Sequence, residues 1–245
     1  MGNPVVYFDV NSAQGDALKR FYGELFGWSF NEVPGGYALV DTRGGTGING
    51  GIGTTAENHT PLAFYAEAPD LQAVLDKAEK LGGKTLIPVT EIPGMVTYAM
   101  FTDPDGLVVG LVKGTGEGGE QGPSVGDGIP VEWFEVLGSD AERTQAFYGQ
   151  LFDWELDSSG PPGYRLVDTQ AGGRGIGGGL GSNPESPWVT VYAQVPDVEG
   201  TLKRAEELGG KREYGPTSVD DHMQTGAFRD PAGNVFGVYF HPPHD

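Results

Sequence analysis

The chain has 245 residues, no cysteine, and 34 acidic against 15 basic residues, for a net charge of −19. Without thiols it can form neither a disulfide nor a thiolate metal site, and charge of that sign repels phosphate backbones and anionic lipid surfaces. Neither nucleic acid nor a membrane is expected as a partner. With no basic and apolar leader and no run of bilayer length, the chain reads as cytoplasmic.

Val5 to Val10 reads as a strand, and the apolar residues Leu18, Phe21, Tyr22, Leu25 and Phe26 then fall at helical spacing, so one helix face is buried. Short extended stretches follow around Tyr37 to Val40 and Gly47 to Ile52, punctuated by glycine. Leu62 to Ala68 is a strand. A second helix starts behind Pro69 and Asp70, carries Leu71, Val74, Leu75, Ala78 and Leu81 on one stripe, and closes at Gly82-Gly83. Two more strands, Val96 to Phe101 and Leu107 to Val112, are joined by the turn residues Asp103-Pro104-Asp105-Gly106.

The chain then repeats itself. Phe21-Tyr22-Gly23-Glu24-Leu25-Phe26-Gly27-Trp28 returns 126 residues later as Phe147-Tyr148-Gly149-Gln150-Leu151-Phe152-Asp153-Trp154. Gly36-Tyr37-Ala38-Leu39-Val40-Asp41-Thr42 and Phe101-Thr102-Asp103-Pro104 both return 127 residues later. So long a period, kept in register, means two copies of one domain rather than a solenoid. The boundaries fall at 1–113 and 129–245, with the glycine-rich, acidic stretch 114–128 as a flexible linker. In the second copy Ser139-Asp140-Ala141-Glu142 reads as a capping box, and Val198, Leu202, Ala205 and Leu208 mark the last helix.

Two strand-helix-three-strand modules per copy, a first helix ending in Phe-Tyr-x-x-Leu-Phe-x-Trp, and a closing Asp-Pro-x-Gly turn resemble the vicinal oxygen chelate superfamily, in particular its two-domain actinobacterial members. That superfamily holds glyoxalases, bleomycin-resistance proteins and extradiol dioxygenases. The resemblance implies an α+β fold of tandem domains, each of two βαβββ modules whose strands form a half-barrel cavity with helices outside. It also implies an intramolecular pseudo-dimer that needs no second chain, so a monomer is expected.

Strand alternation sets Val6, Phe8, Val10, Phe64, Ala66 and Ala68 under the helices. Tyr7, Asp9, Ala63, Tyr65 and Glu67 then face the cavity of the first copy, and Trp133, Glu135, Thr190, Tyr192 and Gln194 that of the second. Tyr7, Tyr65, Glu67, Trp133, Trp188, Thr190, Tyr192, Gln194 and Tyr239 are the candidate ligand contacts. Glu135 and Asp9 are the candidate acid-base groups. Trp28 and Trp154 recur in both copies and read as packing residues, whereas Trp133 and Trp188 belong to the second copy alone, where they either hold or shape a ligand site or fill the core.

Metal-dependent members of the superfamily take a His from the first strand of a module, a His or Glu from the fifth, and a Glu from the last. The matching positions here hold Tyr7 and Trp133, Ala63 and Thr190, Gly110 and Gly237, so no metal and no cofactor is expected. Relocated ligands would have to be Asp9 with Glu67, or Glu135 with His241. His241-Pro242-Pro243-His244 has the look of a chelating pair, but its prolines deny helical spacing and it reads as a frayed end. Gly45-x-Gly47-x-x-Gly50 and Gly173-x-Gly175-x-x-Gly178 match a dinucleotide fingerprint, yet neither opens an apolar helix, and both read as strands leaving room for a ligand. The expected function is binding of a small aromatic or amphipathic molecule without metal. The alternative is a glyoxalase- or hydroxylase-like lyase, isomerase or oxygenase using a carboxylate or relocated ligands.

Overall fold

The computed structural model describes residues 2–54, 62–114 and 122–242; His59, His244 and the 115–121 part of the linker lie outside them. The first copy runs β1 (Val5–Ser12), α1 (Gly15–Phe26), β2 (Ser29–Val33), β3 (Tyr37–Asp41), β4 (Asn49–Thr54), β5 (Ala63–Ala68), α2 (Leu71–Lys80), β6 (Lys84–Ile92), β7 (Val96–Thr102) and β8 (Val108–Lys113). The second runs β9 (Val131–Gly138), α3 (Ala141–Phe152), β10 (Glu155–Asp157), β11 (Arg165–Asp168), β12 (Gly177–Ser182), β13 (Trp188–Gln194), α4 (Val198–Glu207), β14 (Lys211–Ser218), β15 (Gln224–Arg229) and β16 (Val235–Phe240). Each copy supplies one eight-stranded sheet, in the orders β2-β3-β4-β1-β5-β8-β7-β6 and β10-β11-β12-β9-β13-β16-β15-β14.

Packing groups these elements differently from the sequence repeat. One compact unit comprises Met1–Tyr7, Ala63–Gln121 and Trp133–Val189; the other comprises Phe8–Leu62, Gly122–Glu132 and Thr190–Asp245. Each unit therefore draws on both copies. In the first, Phe64 meets Phe134 at 4.8 Å between ring centroids, and Phe101 meets Phe147 and Phe152 at 6.2 and 6.3 Å. In the second, Phe21 of α1 packs on Phe228 at 5.6 Å, and Phe26 on Phe236 at 5.5 Å. The apolar stripe of each first helix is thus buried against strands of the other copy, which offsets the entropy of ordering it.

The two repeated motifs bind each other. Tyr148 of α3 donates its hydroxyl to Asp103 Oδ2 at 3.2 Å, and Tyr22 of α1 donates to Asp230 Oδ2 at 3.0 Å. The other oxygen of each aspartate closes the Asp-Pro turn by accepting backbone N–H groups, from Asp105 and Leu107 in one copy and from Ala232 and Asn234 in the other. Trp28 and Trp154 are buried as packing residues, and their indole N–H groups donate to Ile129 O and Asn3 O, on the segments that lead into β9 and β1.

Three local expectations are corrected. The cap of α3 is Asp140, which accepts the Arg143 N–H; Ser139 instead donates its backbone and hydroxyl to Asp105, a carboxylate and so the stronger acceptor. Val6 is half-buried and packs beside Tyr7 on the Tyr65 and Met100 cluster, while Phe8 and Val10 are buried as expected. Part of the linker is ordered: Asp41 accepts both the N–H and the hydroxyl of Ser124, and Gly45 N–H donates to Ser124 O.

Candidate functional site

β9 places Glu135 opposite Gly179 of β12, and the carboxylate is buried, with 9% of the residue exposed. Tyr164, just before β11, donates its hydroxyl to Glu135 Oε1 at 3.0 Å, and Trp188 donates its indole N–H to Oε2 at 3.1 Å. Trp133 N–H approaches the Tyr164 hydroxyl oxygen at 3.4 Å. Four residues from two strands and a turn, all in the first unit, thereby converge. Both indoles are half-buried and their N–H groups bond inward, so what they offer a ligand is ring surface.

The second unit holds a smaller version of the same arrangement. Tyr37 donates its hydroxyl to Asp9, which is 8% exposed. In both places a glycine makes the reach possible: a Cβ on Gly51 or Gly179 would lie 1.7 Å from the hydroxyl oxygen of Tyr37 or Tyr164. Their neighbours face the core, where a Cβ on Gly50 or Gly178 would lie about as close as 2.5 or 2.4 Å to the ring of Phe8 or Phe134. The glycine-rich strands do leave room, but the chain's own aromatic rings take it rather than a ligand. The carboxylate-phenol pair occurs in both copies and so belongs to the fold; the two indoles and the extra methylene of Glu135 over Asp9 are what the second copy adds.

The remaining expected contacts divide by what holds them. Tyr7 meets Tyr65 edge-on at 6.1 Å, and the Tyr65 hydroxyl lies 3.8 Å from Met100 Sδ. Glu67 forms a two-point ion pair with Arg174, one contact being 2.8 Å, so its carboxylate serves a salt bridge. Thr190 is 0% exposed and donates to Val235 O at 2.7 Å, which turns its hydroxyl into the sheet. Tyr192 and Tyr214 share a hydrogen bond of 3.1 Å; Gln194 reaches His241 O at 3.4 Å. Tyr239 donates to Glu132 at 3.3 Å, and burial together with that carboxylate pushes its phenol well above the usual range, so it remains a donor. Sequence reasoning missed Tyr37, Tyr164, Arg174 and Tyr214. The repeated Gly-Tyr-x-Leu-Val-Asp-Thr held the signal for the first two.

The metal that the resemblance implies does not fit these residues. At the last-strand position the ring of Tyr65 covers Gly110 and that of Tyr192 covers Gly237, so that a Cβ on either glycine would lie 2.2 Å from a ring carbon. Thr190 is turned into the sheet, and Ala63, Tyr7 and Trp133 carry neither imidazole nor carboxylate. Among the described residues no group of three or more His, Asp or Glu side chains is placed to hold a metal ion. The relocated sets fare no better on donor chemistry: Glu67 is taken by Arg174, and His241 Nδ1 lies 2.8 Å from Pro242 O.

Residues 136–239 match the family model described as a glyoxalase-like domain. The chain has the vicinal oxygen chelate fold, with that domain in its second copy. The chain is 27% identical over 247 residues to the CFP32 protein of Mycobacterium tuberculosis, provisionally named a glyoxylase, covering 95% of this chain and 92% of the relative. It is 27% identical over 259 residues to the anthracycline biosynthesis protein DauV of a Streptomyces species, covering 95% and 91%. Among solved structures it resembles a Mn(II)-bound glyoxalase from Novosphingobium aromaticivorans, with a TM-score of 0.65, 17% identity, and coverage of 98% of this chain and 81% of that one. The 2,3-dioxygenase LapB from a Pseudomonas species matches with a TM-score of 0.63 and 15% identity, covering 100% and 94%. At those identities the structural likeness concerns the fold alone. Among the described residues no helix is long and apolar enough to cross a membrane.

Proposed function

We propose that the protein binds a planar, amphipathic small molecule in its second copy, with Trp133 and Trp188 contacting the ring and Glu135 anchoring a polar edge. The observation that carries this reading is the convergence of both copy-specific indoles on one buried carboxylate. Aromatic walls with a few placed polar groups are what a small-molecule site requires. A relative named for anthracycline biosynthesis favours an aromatic ligand. A second reading, acid-base catalysis by Glu135, is favoured by the phenol bonded to it, since Tyr164 and Glu135 together can hold and pass a proton.

Three substitutions test both. With a panel of fused-ring phenols as probes, Trp133→Phe should remove much of the change in indole fluorescence on binding, while Trp28→Phe leaves the binding curve in place. Glu135→Gln should weaken a binder about tenfold; an enzyme would keep its affinity and lose turnover by about a hundredfold or more. Binding indifferent to Trp133, Trp188 and Glu135 alike would refute both readings.

A further inference from the structure

The open edge of the first copy's sheet is apolar where that of the second is not. β6 is the last strand of its sheet, as β14 is of the other. Seven large hydrophobic side chains are exposed among the described residues, and four of them, Leu86, Val89, Ile92 and Met95, lie on β6 and the turn that follows it, each 39–52% exposed. At the matching positions 127 residues on, the second copy has Glu213, Pro216, Val219 and His222. Glu213 is held by Arg229 at 2.7 and 3.0 Å, and Arg212 by Glu199 and Glu206 at 2.7 and 3.3 Å, so charge closes that edge. Both edges keep the same register, Lys84 opposite Thr102 and Lys211 opposite Arg229, so the fold itself does not require the apolar residues. An apolar edge strand is a template for another chain. Charge selects which chain. Residues 84–96 carry only Lys84 and Glu91, so in a chain of net −19 this stretch sums to zero and two copies can approach along it without repulsion between like charges. Both side chains are exposed. Counted along an antiparallel pair of β6 strands centred between Ile87 and Pro88, Lys84 of each chain falls opposite Glu91 of the other and Leu86 opposite Val89. One twofold axis thus pairs both charges twice over. Pro88 has no N–H and interrupts a continuous ladder, so the pairing rests on these side chains.

We propose that the β6 edge of the first copy is where a second copy of this chain docks, forming a twofold dimer. Sedimentation velocity on the full chain, over a concentration series reaching about 0.2 mM, should show a monomer–dimer equilibrium. Leu86→Glu combined with Met95→His, which installs what the second copy has at those positions, should weaken dimerisation about tenfold or more. Glu91→Lys sets lysine against lysine twice in the dimer and should weaken it about fivefold or more. Adding Lys84→Glu to that variant should restore the dimer, because the exchanged charges again face each other. Val219→Glu, on the edge of the second copy, should leave the equilibrium unchanged. A chain that stays monomeric throughout, a dimer indifferent to Leu86 and Met95, or a Glu91→Lys loss that Lys84→Glu does not repair would overturn the proposal; the first of these would leave the edge to an extended segment of another protein.

Discussion

At Gly179 a single hydrogen atom in place of a methyl group decides whether Tyr164 can reach Glu135. A Cβ there would lie 1.7 Å from the hydroxyl oxygen and 2.1 Å from Cζ, and the backbone has no positive φ, so the demand is for space alone. Gly179→Ala should therefore destabilise the protein by about 1–3 kcal/mol in urea unfolding. In a Tyr164→Ala background the same change should cost less than about 0.5 kcal/mol, because the clash is gone. Additive costs would mean that the ring does not occupy this space. Tyr164 itself was visible in the repeat, but nothing in a strand's alternation says which residue on a neighbouring strand its hydroxyl will meet.

Between elements, the Asp-Pro turns act through two carboxylates whose pKa values shift in opposite directions. Burial pushes Asp103 above the usual carboxylate range despite hydrogen bonds from Leu107, Asp105 and Tyr148. Burial also acts to raise Asp105, but hydrogen bonds from Ser139 and the charge of Arg143 outweigh it and hold that carboxyl below its usual value. A raised folded pKa gives stability that is present below the unfolded value of about 3.9 and lost as pH rises through the folded one; a depressed value does the reverse. Measured as urea midpoints between pH 3 and 7, Asp103→Asn should thus gain on the wild type as pH rises, and Asp105→Asn should lose ground, by about 1 kcal/mol at neutral pH. The same sign for both would refute the assignment. The buried hydroxyls of Tyr22 and Tyr148 are pushed far above their usual range by burial and by their aspartates, so they stay donors throughout.

At the scale of the whole molecule, what matters is that each compact unit is built from both copies. Phe101 packs with Phe147 and Phe152, and Phe21 and Phe26 with Phe228 and Phe236, each pair joining one copy to the other. Cutting at the linker would strip these rings of their partners, each burying roughly 150–250 Å². Fragments 1–113 and 129–245 should accordingly self-associate in sedimentation velocity and recover a single species when mixed. Fragments that stay monomeric and as stable as the intact chain would contradict that account.

The tandem repeat, the element order and the helix stripes of Phe21, Tyr22 and Phe26 were all legible in the sequence, because periodicity and residue type are local properties. That Glu135 and Trp133 share one face of β9, where both meet the Tyr164 hydroxyl, was legible for the same reason. The partners were not. That Tyr22 would bond Asp230 and Tyr148 would bond Asp103, that Glu67 would be claimed by Arg174, and that glycine-rich strands would shelter the chain's own tyrosines depended on residues up to 208 positions apart. A hydrogen bond is decided by which atoms arrive within about 3 Å, and only the packed chain sets that distance.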